Sequence, residues 1–407
     1  MTTTTDTRPP SLIRATGFGY FPIALLARLP FAMMVVGVLT LVVSARGDIA
    51  LGGLNSALTG LGTAVFGPLI GAAADRLGQR RIVLLCGIVN SLALVAMSWV
   101  VFSTLPDAVV LAVAFVIGAT APQVSPLSRS RLVGVITRHL PEDRRAKTFN
   151  GTMAYESAAD EIVFVFGPFL VGLLATTMNP AAPVIGAAVL TLIFVTAFAY
   201  HRTGRALTGA DGRPERVVQA AASELFHIRV TTVTVGVLGM GLFFGAMLTT
   251  LTSFLADRGE PEAAGLIYGV MGIGSAIFAL AVAWFSPRFT LRARWLTFAV
   301  ILVVGSALLP LMDTTGGVAL ALALAGIGVG PTLVTQYSLG AERSPLGRSA
   351  TVMTMLGSAV IVGQSASAAL VGVLAESAGT AAAMMTPATA AGIVLAAGIV
   401  NWFLGKR

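Results

Sequence analysis

Charge is the scarcest property of this 407-residue chain: Asp, Glu, Lys and Arg together make up 11% of it, against about a quarter in soluble domains. So few ionisable groups cannot coat a water-facing surface of this size, while 56% of the residues are hydrophobic and the mean hydropathy is +0.87. The deficit excludes a water-soluble protein and implies an integral membrane protein. Cysteine is nearly absent: Cys86 stands alone in an apolar run, which rules out an internal disulfide. The three histidines, His139, His201 and His227, stand singly, so no metal site and no Ser/His/Asp triad is expected. Nothing resembles a phosphate cradle or an activated nucleophile, and neither enzyme activity nor a cofactor is expected.

What is abundant is apolar sequence in long runs. About 20 apolar residues cross the hydrocarbon core as a helix, and the runs give twelve candidate spans, at roughly 16–44, 49–73, 82–104, 108–128, 148–176, 182–200, 229–255, 264–285, 295–312, 317–339, 348–375 and 382–404. Glycine and proline inside them do not demote them, because in lipid the backbone has no alternative to helix. The net charge of +8 raises the question of nucleic acid, and the placement of the basic residues answers it. With both termini cytoplasmic, 23 of the 26 Lys and Arg fall in cytoplasmic segments, leaving Arg46 and Arg258 outside and Arg28 within a span. That asymmetry sets the orientation in the bilayer and leaves no call for a nucleic-acid partner. The longest polar stretch, His201 to Arg229 with GADGRPER inside it, divides the spans six and six: 1–200, a 201–228 cytoplasmic linker, and 229–407. An echo between FLVGLLATT (169–177) and ALVGVLAES (369–377) falls on spans five and eleven, as a duplicated six-helix unit requires.

Between spans two and three lies Gly71-x3-Asp75-Arg76-x-Gly78-x-Arg80-Arg81. Gly71 permits close helix approach, Gly78 permits a tight turn, and Asp75 is an anion beside three guanidinium groups. This motif and the six-plus-six organisation resemble the major facilitator superfamily, over the whole chain. The resemblance implies an all-α membrane protein of twelve transmembrane helices in two pseudo-symmetric six-helix bundles, in the plasma or inner membrane. It also implies that Asp75 faces the N-terminus of helix eleven, near Leu346 to Thr351, as a conformational latch. The matching loop of the second half, SPRFTLRARW, keeps Arg288, Arg292 and Arg294 but has no acid.

Charged groups at bilayer depth are costly and are default functional candidates. Span five carries Glu156, Asp160 and Glu161, and Arg28 in span one lies at a depth similar to that of Asp160. Glu156 and Asp160 share a helix face, and Glu161 points away by about 100°. Arg28 is expected to pair with Asp160 or Glu161, leaving the remaining carboxyls to exchange protons; a purely structural ion-pair network is the alternative. Span five continues as Gly167-Pro168-x3-Gly172, a partial match to the Gly/Pro motif of the family's drug:proton antiporters, with Ala159 and Val163 where the long form has glycine. Its glycines are expected to meet the opposite half. Many such antiporters carry a buried arginine in span four; here Arg129 and Arg131 are read at the end of that span, so Arg28 is expected to substitute. Pro122, Pro126 and Pro331 suggest paired interruptions of spans four and ten.

The resemblance places the central site on spans 1, 4, 7 and 10, with help from 2, 5, 8 and 11. Tyr20, Gln123, Tyr155, Phe243, Phe244, Gln336, Tyr337 and Gln364 are the substrate-binding candidates there, with Met240 and Met247 adding soft surface. So apolar a lining suits a hydrophobic or amphipathic small molecule. The expected function is secondary active, proton-coupled efflux by alternating access, with protons, lipid and a small-molecule substrate as partners of a monomer. Proton symport for uptake, or a non-transporting sensor on the same fold, are the alternatives.

Overall fold

The computed structural model describes residues 11–204, 218–260, 263–286 and 288–404. The GADGRPER stretch, Arg8, Arg205, Lys406 and Arg407 lie outside the described residues. Among the described residues, twelve helical segments are long and apolar enough to cross a membrane: α1 Tyr20–Arg46, α2 Leu51–Leu77, α3 Gln79–Val100, α4 Asp107–His139, α5 Glu142–Thr177, α6 Ala182–Tyr200, α7 Ile228–Ala256, α8 Ala264–Trp284, α9 Leu291–Leu311, α10 Thr315–Glu342, α11 Ser349–Ala378 and α12 Thr380–Leu404. With an even number of helices, the start of α1, the end of α12 and most of the described arginines lie at one end of the bundle, called here the basic end.

Two helices run well past their expected limits. The fourth continues eleven residues beyond 128 to His139, and the fifth begins at Glu142, six residues before 148. In hydropathy alone the fourth span ends at its first polar cluster. Protein rather than solvent surrounds that cluster: Ser128, Arg129, Ser130 and Arg131 are all buried.

Two helices are broken where function is sought. The first breaks at Ala27–Arg28, between helical pieces Tyr20–Leu26 and Leu29–Arg46, with Pro30 in the first turn of the second piece. Proline there lacks the amide hydrogen that would continue the ladder, so Arg28 stands at a helix junction in mid-span. The fourth breaks between Ala119 and Val124, where Pro122 falls. The expected matching break in span ten is absent, because the helix Thr315–Glu342 is continuous through Pro331. Close by, Gly330 and Gly328 let α10 lie against the backbones of α8 and α9.

The first six helices build two apolar clusters and the last six a third, large one from Leu225 to Ala397. The two halves touch on the side of the basic end. Gly67 and Gly71 of α2 lie against Ser358, Ala350 and Thr354 of α11, where any Cβ would clash. Met153 and Ala154 of α5 form one cluster with Ala279, Val282 and Val334 of the second half. Toward the opposite end, among the described side chains, α5 keeps only the stripe Val163, Gly167 and Val171 buried, and Ile162, Phe164, Phe166 and Phe169 are exposed. The two bundles are therefore sealed at the basic end and splayed at the other. The echoing segments 169–177 and 369–377 form the corresponding ends of α5 and α11.

Candidate functional site

The buried charges of the first half converge where the breaks in α1 and α4 face α5. Arg28 donates to Glu156, both fully enclosed, and its second guanidinium nitrogen lies 3.5 Å from Asp160. Arg129 of α4, only 1% exposed, donates to Asp160 at 2.7 Å and to Ser125 Oγ at 2.6 Å. Ser125 in turn donates to Asp160 at 2.7 Å. The expected pairing is thus corrected in two respects. Arg28 takes Glu156 first and does not reach Glu161. And α4 does carry a deep arginine: Arg129 belongs to the membrane-embedded cluster, since α4 runs on past 128 inside the protein. Its signal was present as Ser125 and Arg129, one helical turn apart after a proline break.

Two guanidiniums face three carboxylates, and the third acid is left over. Glu161 accepts a hydrogen bond from Ser275 of α8 at 2.8 Å, across the boundary between halves. No Lys or Arg among the described residues lies within ion-pair distance of it. The cluster also reaches the second half through Arg129, whose guanidinium sits 4.0 Å from the ring centroid of Tyr337 in α10, a cation–π contact. Ser275 and Arg129 are thus site residues that sequence reasoning missed. A serine in a Gly-rich helix carries no signal until its neighbour across the interface is known.

At the basic end, Asp75 accepts from the backbone N–H of Ala350 at 3.1 Å and of Thr351 at 2.8 Å, and from the Thr351 hydroxyl at 2.7 Å. These are the free amides of the first turn of α11, where the helix dipole favours an anion. Gly71 lies one turn before Asp75 and brings α2 within reach; Gly78 turns the chain at φ +90°. The neighbouring guanidiniums do not pair with Asp75: Arg76 donates to Gln219 at 3.2 Å and Arg80 stacks over Tyr200 at 4.0 Å. Among the described residues no partner is assigned to Arg81. In the matching loop of the second half, Arg294 instead donates to the carbonyls of Phe289 and Ser286, closing its own turn.

The helix-five motif packs differently from expectation. Gly167 lies against Ala32 of α1, within its own half, and Gly172 has open space beside it. Close approach at Gly167 lets α5 hold its one buried stripe on α1, while Pro168 sits exposed within an unbroken helix.

The eight expected lining residues do not form one surface. Tyr155 and Tyr337 flank the charge cluster; the Tyr155 hydroxyl donates to the Phe21 carbonyl at 3.3 Å. Tyr20 is fully enclosed in the first half, 2.8 Å from Ser128 and packed on Phe198. Gln123 lies in the α4 break beside Gly67 and donates to Ala121 at 3.2 Å. Gln336 is fully enclosed beside Trp295 and Gly236, inside the second bundle. Phe243 is enclosed in the same core, Phe244 packs beside it at 5.8 Å, and Gln364 is half-buried where Gly245 meets α11.

Twelve helices in two bundles, joined at one end by a helix-terminus contact and enclosing a cluster of opposite charges, have the architecture of a membrane transporter. The profile of the Major Facilitator Superfamily matches residues 20–368, and the chain belongs to that superfamily. It is 24% identical over 282 residues to the multidrug efflux pump Tap of Mycolicibacterium fortuitum, an alignment covering 65% of each, so the chain spans about 65% of the length of that relative. Among solved structures, the human organic anion transporter MFSD10 (TETRAN) superposes with TM-score 0.72 at 20% identity, over 97% of this chain and 100% of that one. A bacterial homologue of the iron transporter ferroportin in an outward-facing state gives TM-score 0.73 at 14% identity, over 98% and 100%. The Escherichia coli fucose:proton symporter FucP gives 0.66 at 16%, over 93% and 98%. At such identities these structures share the fold alone.

Proposed function

We propose that this transporter couples inward proton movement to the export of small apolar or amphipathic compounds, alternating between a state open to the outside and one open to the cytoplasm. The observation that carries this reading is the internal charge inventory: three carboxylates, two guanidiniums, and one acid bonded only to a serine of the opposite half. An acid at membrane depth without a counterion takes up a proton in preference to standing charged. Glu161 therefore binds the coupling proton, and its Ser275 contact makes that event felt by both halves. Efflux is favoured by the likeness to a multidrug efflux pump and by the apolar second half. The arginines of the basic end favour a cytoplasmic position for it; on that reading the described conformation faces outward, with Asp75 as the inner latch.

Everted vesicles test the reading. An apolar cationic dye added to them should collapse part of an imposed pH gradient, and Glu161→Gln should abolish that collapse by at least about tenfold, the loss expected when a transported proton has no carrier. Substrate accumulation in intact cells driven by the same gradient would instead establish symport. No proton flux with any compound would remove the proton-coupled reading.

A further inference from the structure

Glu156 differs from its two neighbours in what lies behind it. The Ser128 hydroxyl donates to its carboxylate at 3.0 Å, and the Tyr20 hydroxyl stands 2.8 Å from Ser128 Oγ. The Ser128 proton is committed to the carboxylate, so the phenol is the donor in the second bond. The result is an ordered chain, Tyr20 to Ser128 to Glu156, with every member fully enclosed. Tyr20 is the first residue of α1, at the basic end, and its ring meets that of His201 with centroids 5.2 Å apart. Phe198, stacked under the Arg131 guanidinium at 3.9 Å, closes the other side. The chain runs through the interior of the first bundle, away from the seam between the halves that Asp75 seals.

On the other side of Glu156 stands Arg28, and beyond it Asp160, one turn farther from the basic end and 21% exposed. Arg129 and Ser125 also face Asp160, and Tyr155 lies beside Arg28. A fixed guanidinium in a narrow polar path is an electrostatic barrier to protons.

We propose that Tyr20 and Ser128 are a hydroxyl relay carrying protons between Glu156 and the cytoplasm, and that Arg28 is the barrier separating this relay from the carboxylates reached from outside. The inference rests on the proton-coupled reading above. In the release step the carboxyl proton of Glu156 passes to Ser128 Oγ, the Ser128 proton passes to Tyr20 Oη, and the phenolic proton leaves to water or to the His201 imidazole. One proton is moved, both hydroxyls are restored, and no electrons change hands. The barrier is needed because a relay already assembled in the outward-facing state would otherwise short-circuit the gradient.

The test needs no substrate. The full chain is placed in sealed liposomes with a trapped pH-sensitive dye, and an acid pulse is applied outside. Arg28→His replaces a permanent charge by a group that titrates near neutrality, and should raise proton entry about tenfold over the unaltered protein. Adding Tyr20→Phe or Ser128→Ala should return entry to within about twofold of the unaltered level, since each removes one link of the chain. A leak that persists in both double variants overturns the relay, and a folded, monodisperse Arg28→His without a leak overturns the barrier. Should Arg28→His not fold, infrared spectroscopy of the otherwise unaltered chain decides. The protonated-carboxyl band lost in Glu156→Gln should rise more slowly in Tyr20→Phe after an acid jump on the cytoplasmic side, and an unchanged rise overturns the relay. Absence of dye-driven proton flux in everted vesicles would sink the efflux reading while leaving this result standing.

Discussion

Arg129 shows how far a single residue can depend on its surroundings. In sequence it reads as one more basic residue at the end of a span; in the fold it holds Asp160, Ser125 and the face of Tyr337 at once. Removing one partner of a buried pair costs about 3–5 kcal/mol because the other charge is left uncompensated. Arg129→Ala should accordingly lower the melting temperature in detergent markedly, and Asp160→Asn in the same background should recover part of the loss. If the double variant melts no higher than Arg129→Ala, the pair is not what stabilises the site. His201, beyond the end of α6, offers a pH-dependent counterpart. Burial, then the charges of Arg131 and Arg202, hold its imidazole below the ordinary 6.5. The unfolded chain takes the proton first as pH falls, so the stability tied to this group is complete above 6.5 and declines below it. His201→Gln should flatten the fall in melting temperature between about pH 7 and about pH 5.5.

At the scale of elements, small residues decide which helices can touch. Gly71 brings α2 onto the Ala350 carbonyl and Thr354 of α11, leaving no room for a side chain. Gly71→Val should force these helices apart and raise the reactivity of a cysteine at Thr354 toward a water-soluble maleimide. A separation that loosens packing by about 1–3 kcal/mol would increase labelling roughly tenfold. Unchanged labelling would show that the two helices part without help from this contact. The spans were legible in sequence because twenty consecutive apolar residues have one stable form in lipid. The breaks were less so: Pro30 and Pro122 interrupt their helices, whereas Pro168 and Pro331 do not. The same residue gives opposite outcomes at different places, so its position in the sequence did not reveal the breaks.

For the molecule as a whole, one contact at the basic end ties the start of α11 to the first half. Asp75 accepts three hydrogen bonds from the start of α11, and bonds to a charged group contribute about 1.5–3 kcal/mol each. Asp75→Asn keeps the size and removes the charge, so the population should shift toward the inward-open form by about tenfold for each 1.4 kcal/mol lost. Spin labels at Leu54→Cys and Leu370→Cys, on α2 and α11 toward the splayed end, should then report a shorter distance. Labels that keep their separation would count against a latch role for Asp75.

Composition and hydropathy by themselves determined that this chain carries twelve helices able to cross a membrane, and the Asp75 motif supplied the resemblance to a transporter superfamily. Those properties are local or additive along the chain, and a bilayer permits few alternatives to helix. Tertiary structure alone decided which charges meet. Arg28 takes Glu156 ahead of Asp160, Arg129 reaches inward, Glu161 turns to Ser275, and Tyr20 leaves the expected lining to stand behind Ser128. Each of these joins residues on different helices, 31 to 128 positions apart in the chain, and such pairings follow from helix rotation and close approach rather than from any spacing a sequence can display.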